Sequence, residues 1–205
     1  MAEEDLFFES EGLKIEALLD AQSGDKAVVI AHPHPLYGGD MHNHVVTGIR
    51  AAYLRAGYTT LRFNFRGVGA SDGEYDEGRS ETSDVRAAVD LLGERGKQAV
   101  DLAGYSFGAW VIARGLERIT AARRVVMISP PVSFFDFSFL NHNHKIQLVI
   151  AGAEDDIAPA DKIRNMVPEW NPEADLVIIP RADHFYGGTT GRMEDAILAF
   201  LEKNG

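Results

Sequence analysis

Cysteine is absent from the 205 residues, which excludes disulfide staples and thiolate chemistry. Clusters of Lys and Arg are absent too, and the formal net charge is −11. Nucleic acid and anionic membrane both need grouped positive charge, so neither is expected as a partner. No apolar run approaches the roughly 20 residues of a membrane-spanning helix. The opening Met1-Ala2-Glu3-Glu4-Asp5 is acidic and lacks the basic and apolar regions of a secretory leader, so a cytoplasmic location is expected. What is present is ordinary in bulk. At 45% apolar and 25% charged residues, the composition suits a globular chain, and the length suits one domain over 1–205.

The order of the apolar segments says more. Leu6-Phe7-Phe8-Glu9 and Leu13 to Leu19 flank Ser10-Glu11-Gly12, which predicts an antiparallel hairpin. Six further runs follow: Ala27–Ile30, Thr59–Phe65, Val100–Ala103, Val125–Ile128, Ile146–Ile150 and Leu176–Ile179. Several are apolar at successive positions, as parallel strands covered on both faces must be. Helical spacing appears between them at Val45 to Ala56, at Val85 to Leu92 with Ser80 or Ser83 as cap, at Phe107 to Ile119, and at Met193 to Leu201. Alternation of this kind predicts an α/β fold: a mostly parallel, eight-stranded sheet with helices on both faces. The intervals leave no room for an inserted lid domain.

The segment Gly104-Tyr105-Ser106-Phe107-Gly108 lies between a predicted strand and a predicted helix. A serine on such a turn presents its hydroxyl at the sheet end, and the glycines permit the close approach of strand and helix. The amide of Phe107 opens the helix and points at charge developing on an attacked carbonyl. The bare pattern is weak, because Gly69-Ala70-Ser71-Asp72-Gly73 also matches it. Ser71 lacks both the preceding strand and the following helix, so Ser106 is the candidate nucleophile.

A serine needs a base, and the base needs an orienting carboxylate. Both belong on loops leaving the carboxyl ends of strands. His184 follows the last strand and is the candidate base. The Ile150 strand runs into Glu154-Asp155-Asp156, where Asp155 is preferred as the acid, Asp156 stands second and Asp136 third. The loop after the first parallel strand is Ala31-His32-Pro33-His34-Pro35-Leu36-Tyr37-Gly38-Gly39. Its prolines cannot donate, so the His34 amide, then Leu36 or Tyr37, is the candidate second oxyanion donor beside Phe107.

These residues together resemble the α/β-hydrolase superfamily. The likeness is greatest to small bacterial lidless serine hydrolases carrying His-Pro-His-Pro-Leu-Tyr-Gly-Gly near the start. It covers His32–Gly39, Leu61–Gly69, the serine turn, Gly152–Pro159 and Ala182–Phe185. The resemblance implies the α/β-hydrolase fold and carboxylesterase chemistry on small, short-chain esters with no cofactor. It places the acid at Gly-x-x-Asp, hence Asp155, although Ala153 stands where the family often has an acid. It also sets Arg66 at a strand end facing the site, to bind an acidic substrate or to pair with a neighbouring acid. Leu36, Tyr37 and Tyr105 join Phe134 and Phe135 as candidate substrate contacts, the phenylalanines as walls of an acyl pocket or as core beneath a loop.

Two other classes compete. Six of the seven histidines fall in the pairs His32/His34, His42/His44 and His142/His144, which is the pattern a metal-dependent hydrolase would build on. No metal is expected, because i, i+2 residues at a helix start diverge and the barrels that use strand pairs are longer. A non-catalytic binding scaffold on the same fold would have no need of Ser106, Asp155 and His184 together. The sequence carries no signal of oligomeric state.

Overall fold

The computed structural model describes residues 3–204; Met1, Ala2 and Gly205, the ends of the expected domain and the start of the acidic N-terminus, lie outside it. The chain begins with a hairpin of β1 (Glu4–Ser10) and β2 (Leu13–Asp20). Glu11 and Gly12 both hold positive φ, 51° and 79°, the geometry of a two-residue turn matched to strand twist. Strands and helices then alternate: β3 (Lys26–Ala31), α1 (His44–Arg55), β4 (Thr59–Phe63), α2 (Glu81–Glu94), β5 (Ala99–Tyr105), α3 (Phe107–Gly115) and β6 (Ala122–Ile128). The chain continues with β7 (Ile146–Gly152), α4 (Ala160–Trp170), β8 (Asp175–Ile179) and α5 (Thr190–Asn204). Residues 129–145, between β6 and β7, form neither helix nor strand.

All eight strands form one sheet in the order β1-β2-β4-β3-β5-β6-β7-β8. Only β2 runs antiparallel to its neighbours β1 and β4; β3 to β8 pair in parallel. The chain leaves β3 in one direction, to β4, and then crosses back to β5 on the other side. The loops after β3 and β5 therefore part company, and the crevice between them is where ligands of open parallel sheets bind.

Side-chain alternation along each strand divides the core. Val28, Ile30, Ala103, Val126 and Ile128 pack with α1 and α5 through Val45, Ile49, Met193 and Ile197. Val29, Ala31, Leu102, Val125 and Met127 pack with α2, α3 and α4 on the opposite face. Strands buried on both faces explain why the apolar runs show no polar alternation.

Three local expectations change. The α3 helix ends at Gly115 rather than Ile119 and continues as turns. Neither Ser80 nor Ser83 caps α2: Ser80 Oγ bonds Asp76, Ser83 Oγ bonds Glu11, and the Glu81 carboxylate instead accepts from the Asp76 amide at 2.8 Å. The α4 helix is additional to those expected. Ile163, Val167 and Trp170 are its buried face, at helical spacing obscured by Pro168. That proline sits in the last turn, where its missing N–H costs a single hydrogen bond.

Candidate active site

Ser106 stands between β5 and α3 with φ 52° and ψ −118°. A non-glycine residue held there is strained, and such strain persists where the surroundings over-determine it. Those surroundings are two glycines. A Cβ on Gly104 would lie 2.6 Å from the Ala109 amide nitrogen, and one on Gly108 would strike the Ala31 carbonyl of β3. Helix α3 thus rests directly on β3 and β5, and Ser106 has nowhere to go but out of the sheet end.

The structure brings three sequence-distant side chains into one hydrogen-bonded chain. Ser106 Oγ lies 2.9 Å from His184 Nε2, and His184 Nδ1 lies 2.9 Å from Asp155 Oδ2. Ser106 and His184 are almost wholly buried, with 8% and 6% of their surface exposed. Of the three adjacent acids, Asp155 is buried whereas Glu154 and Asp156 face solvent. Asp155 Oδ1 also accepts from the Ile157 and Ala158 amides at 2.9 and 2.7 Å. Burial pushes the Asp155 carboxyl up, but the His184 imidazole, the Ala158 amide and the Ser129 hydroxyl outweigh it and hold it below its ordinary value. Asp136 is engaged elsewhere: its carboxylate binds the Ser138 amide and hydroxyl.

The loops that carry Asp155 and His184 are stitched together. The Ala153 amide donates to the Ile179 carbonyl at 3.0 Å and the Glu154 amide to the Ala182 carbonyl at 2.9 Å. Gly152 permits this approach, since a Cβ there would meet the same Ala182 carbonyl.

The proline-rich loop after β3 is rigid for reasons beyond its prolines. The His34 carbonyl accepts from the Tyr37 and Gly39 amides, both at 3.1 Å, and His34 Nδ1 accepts from the Leu36 amide at 3.2 Å. That acceptor role puts the proton on Nε2, which donates to Tyr75 Oη at 3.1 Å. The His34 ring lies 4.8 Å from that of Phe107, centroid to centroid. Among the described residues, the main-chain amides of His34 and Phe107 have no acceptor. Two donors are therefore available on the crevice between β3 and β5, while the Leu36 amide is spent on His34.

The remaining candidates separate by direction. Phe135 packs against Trp110 at 4.3 Å and against Phe107 at 6.0 Å between centroids, so it walls the region beside the serine turn. Leu36, Tyr37 and Phe134 are 69%, 87% and 72% exposed, on loops whose neighbours touch Phe107. Arg66 is not available to a substrate. It is buried, and its guanidinium grips the Asp84 carboxylate at 2.8 and 3.1 Å and Glu11 at 3.2 Å. Tyr105 also departs from expectation. It follows Ala103 onto the α1/α5 face of the sheet, is buried, and donates from Oη to the His184 carbonyl at 2.9 Å. Its place is behind the imidazole rather than against a ligand.

The paired histidines diverge. His32 is buried and uses both ring nitrogens on main chain: Nδ1 donates to the Pro33 carbonyl at 2.6 Å and Nε2 accepts from the Phe65 amide at 3.0 Å. His44 Nε2 donates to the Phe185 carbonyl at 2.6 Å, while His42, His142 and His144 are exposed. Among the described residues, no three His, Asp or Glu side chains converge in a metal-binding group. Three residues around the site lay outside the sequence expectations: Tyr75, which holds the His34 ring, and Ser129 and Tyr186, whose hydroxyls lie 2.8 Å apart on the loops after β6 and β8. The strand-end rule that selects Asp155 applies equally to Ser129 after β6.

An eight-stranded doubly wound sheet with a serine elbow at its central strand and a histidine after its last defines the α/β-hydrolase class. The match to the Alpha/beta hydrolase family over residues 28–202 makes the assignment: this chain belongs to that family. It is 37% identical, over 84% of its length and 77% of the relative's, to an uncharacterized protein of Rickettsia prowazekii. Among solved structures it is similar to an alpha-beta serine hydrolase homologue from Coxiella burnetii, at 30% identity and TM-score 0.90, covering 97% of each chain. It is also similar to a serine hydrolase without lid from Xanthomonas campestris, at 28% identity and TM-score 0.89, covering 98% of this chain and 94% of that one.

Proposed function

We propose that this protein is a serine carboxylesterase that cleaves small, short-chain esters through an acyl-enzyme on Ser106. The observation that carries the reading is the unbroken hydrogen-bonded chain Ser106–His184–Asp155 at the carboxyl end of the sheet. Asp155, acceptor-only while ionised, requires the proton of His184 on Nδ1. That leaves Nε2 free to take the Ser106 proton as the hydroxyl attacks an ester carbonyl. The Phe107 and His34 amides then receive the oxyanion, His184 returns its proton to the leaving alcohol, and water clears the acyl group.

The short-chain preference rests on shape. Leu36, Tyr37, Phe134 and Phe185 are large apolar side chains left exposed on the loops after β3, β6 and β8, which supports an open face without a lid. An open face gives a short acyl group full contact and leaves a long chain in water. The test is a panel of model esters of graded chain length, run on the wild type and on Ser106→Ala, together with labelling by an organophosphonate. Turnover and labelling of the wild type at Ser106, with activity falling as the acyl chain lengthens, are expected. A wild-type protein that neither turns over nor labels would make the chain a binding scaffold. Activity lost to chelator and regained with zinc would make it a metal hydrolase.

A further inference from the structure

A turn between a strand and a helix leaves its carbonyls without ladder partners, and each needs a donor or water. The turn that carries His184, between β8 and α5, is flanked by two non-glycine residues in the left-handed region, Arg181 at φ 60° and Tyr186 at φ 55°. Its own backbone preferences therefore do not hold it. The Tyr186 amide closes the turn on the Asp183 carbonyl at 3.3 Å, and the Glu154 amide, from the loop of Asp155, takes the Ala182 carbonyl at 2.9 Å. The next two carbonyls are held by side chains. Tyr105 Oη donates to that of His184 at 2.9 Å, and His44 Nε2 donates to that of Phe185 at 2.6 Å. A carbonyl only accepts, so both donors are fixed, and His44 carries its proton on Nε2.

Tyr105 is the last residue of β5 and the covalent neighbour of Ser106. It is buried, stands in register with Ile128 of β6, and lies 5.5 Å from the imidazole between ring centroids. The Ile128 carbonyl takes the Ser106 amide at 2.9 Å. A closed circuit results: from Tyr105 through the peptide bond to Ser106, from Ser106 Oγ to His184 Nε2, and from the His184 carbonyl back to Tyr105 Oη. His44 opens α1 with its side chain exposed, while Val45 and Val46 behind it are buried and fix the helix start. Burial raises the Tyr105 hydroxyl above its ordinary value, so it stays a neutral donor. Water would satisfy the carbonyls of such a turn without fixing their direction.

We propose that Tyr105, together with His44, is a positioning residue that holds the His184 turn where the imidazole meets Ser106. Both act through the main chain of the base. The proposal rests on the reading of Ser106, His184 and Asp155 as the reacting unit.

The test compares Tyr105→Phe, His44→Ala and His44→Gln with the wild type on a model ester. Phenylalanine keeps the buried ring and removes only the donor. Loss of alignment should lower kcat about tenfold in Tyr105→Phe and about threefold in His44→Ala, at unchanged KM. Glutamine offers an amide donor of similar reach and should restore kcat at position 44; an equal loss there counts against the proposal. The His184 Nδ1 proton, followed by NMR without substrate, should exchange faster with water in Tyr105→Phe and His44→Ala than in the wild type and His44→Gln. A purely structural role predicts a lower denaturation midpoint in Tyr105→Phe with wild-type kcat and exchange, and that result overturns the proposal. Should Tyr105→Phe not fold, the exposed His44 decides, and wild-type kcat and exchange in His44→Ala overturn it. The exchange measurement is independent of turnover, so failure of the esterase reading shows separately, as a wild type without turnover or organophosphonate label.

Discussion

Two serines in this chain share one sequence pattern and do opposite work. Ser106 is held at φ 52° with its hydroxyl on an imidazole. Ser71 Oγ donates to the Asn64 carbonyl at 2.8 Å and accepts from the Glu16 amide at 3.0 Å, joining the β2 strand to the loop after β4. The paired substitutions separate these roles. Ser106→Ala should lower ester turnover on the order of 10⁴-fold or more, with thermal stability unchanged. Ser71→Ala should leave kcat alone and destabilise by about 1–3 kcal/mol, because two main-chain groups lose their partner. Measured kcat and denaturant midpoints for both proteins check this, and equal turnover losses would defeat the distinction. Ser106, His184 and Asp155 were legible because each depends on its place relative to a strand end, which apolar runs reveal. The direction of Tyr105 was not, nor was the identity of the acid that Arg66, expected to pair with one or to bind substrate, would choose. Their side-chain directions depend on which face of the sheet each strand end presents. Arg66 had 31 acidic residues to choose from, and its partner Asp84 lies on a helix whose rotation the sequence does not state.

Elements carry the strain that single residues show. The β5–α3 unit works because Gly104 and Gly108 let the helix touch two strands. At the opposite, amino end of β5, Asp101 is fully buried between Arg123 and Arg124 of β6, at 3.0 and 2.7 Å, and Arg124 also reaches Tyr58 Oη at 2.6 Å. Burial raises the Asp101 carboxyl, and the two guanidinium groups oppose it. Replacing one partner of such a group strands the others, so Asp101→Ala should cost about 3–5 kcal/mol in unfolding free energy. It lies far from Ser106 along β5, so KM and kcat of the folded fraction should be unaffected; a selective fall in kcat would count against a purely structural role. The Arg62–Arg66 stretch behaves likewise. Arg62 donates to the Met41 carbonyl, Asn64 accepts from the Met41 amide, and Arg66 closes on Asp84. A motif specific enough to mark a family resemblance is here spent on fixing the loops beneath the site. The α4 helix shows the reverse difficulty: its periodicity was present in the chain, but a proline in its last turn concealed it.

Acid should unfold the molecule through its histidines. Burial pushes His32 down from an ordinary value of 6.5 to about 4, and His34 in the same direction. His32 Nε2 must stay unprotonated to accept from the Phe65 amide. A depressed value means that the unfolded chain binds the proton more readily. The stability contributed by neutral His32 is therefore intact above about pH 6.5 and is lost progressively down to about pH 4, a difference of about 3 kcal/mol. Urea midpoints at pH 7.5, 5.5 and 4.5 should fall steadily, and the fall should be smaller in His32→Asn. A flat response over that range would refute the assignment. The same histidine links the β3 loop to the loop after β4, so the placement of the His34 amide and acid stability share one side chain.

The succession of strands and helices, the serine turn and the place of His184 after the last strand are properties of local pattern, since apolar runs and the residues that end them follow from covalent spacing and burial. The identity of the neighbours is not. Which acid is buried, which arginine is locked, which way a tyrosine faces and how Ser129 meets Tyr186 are set by loops that approach one another only after the sheet has closed. Contacts between residues 57 positions apart leave no trace in the spacing of either.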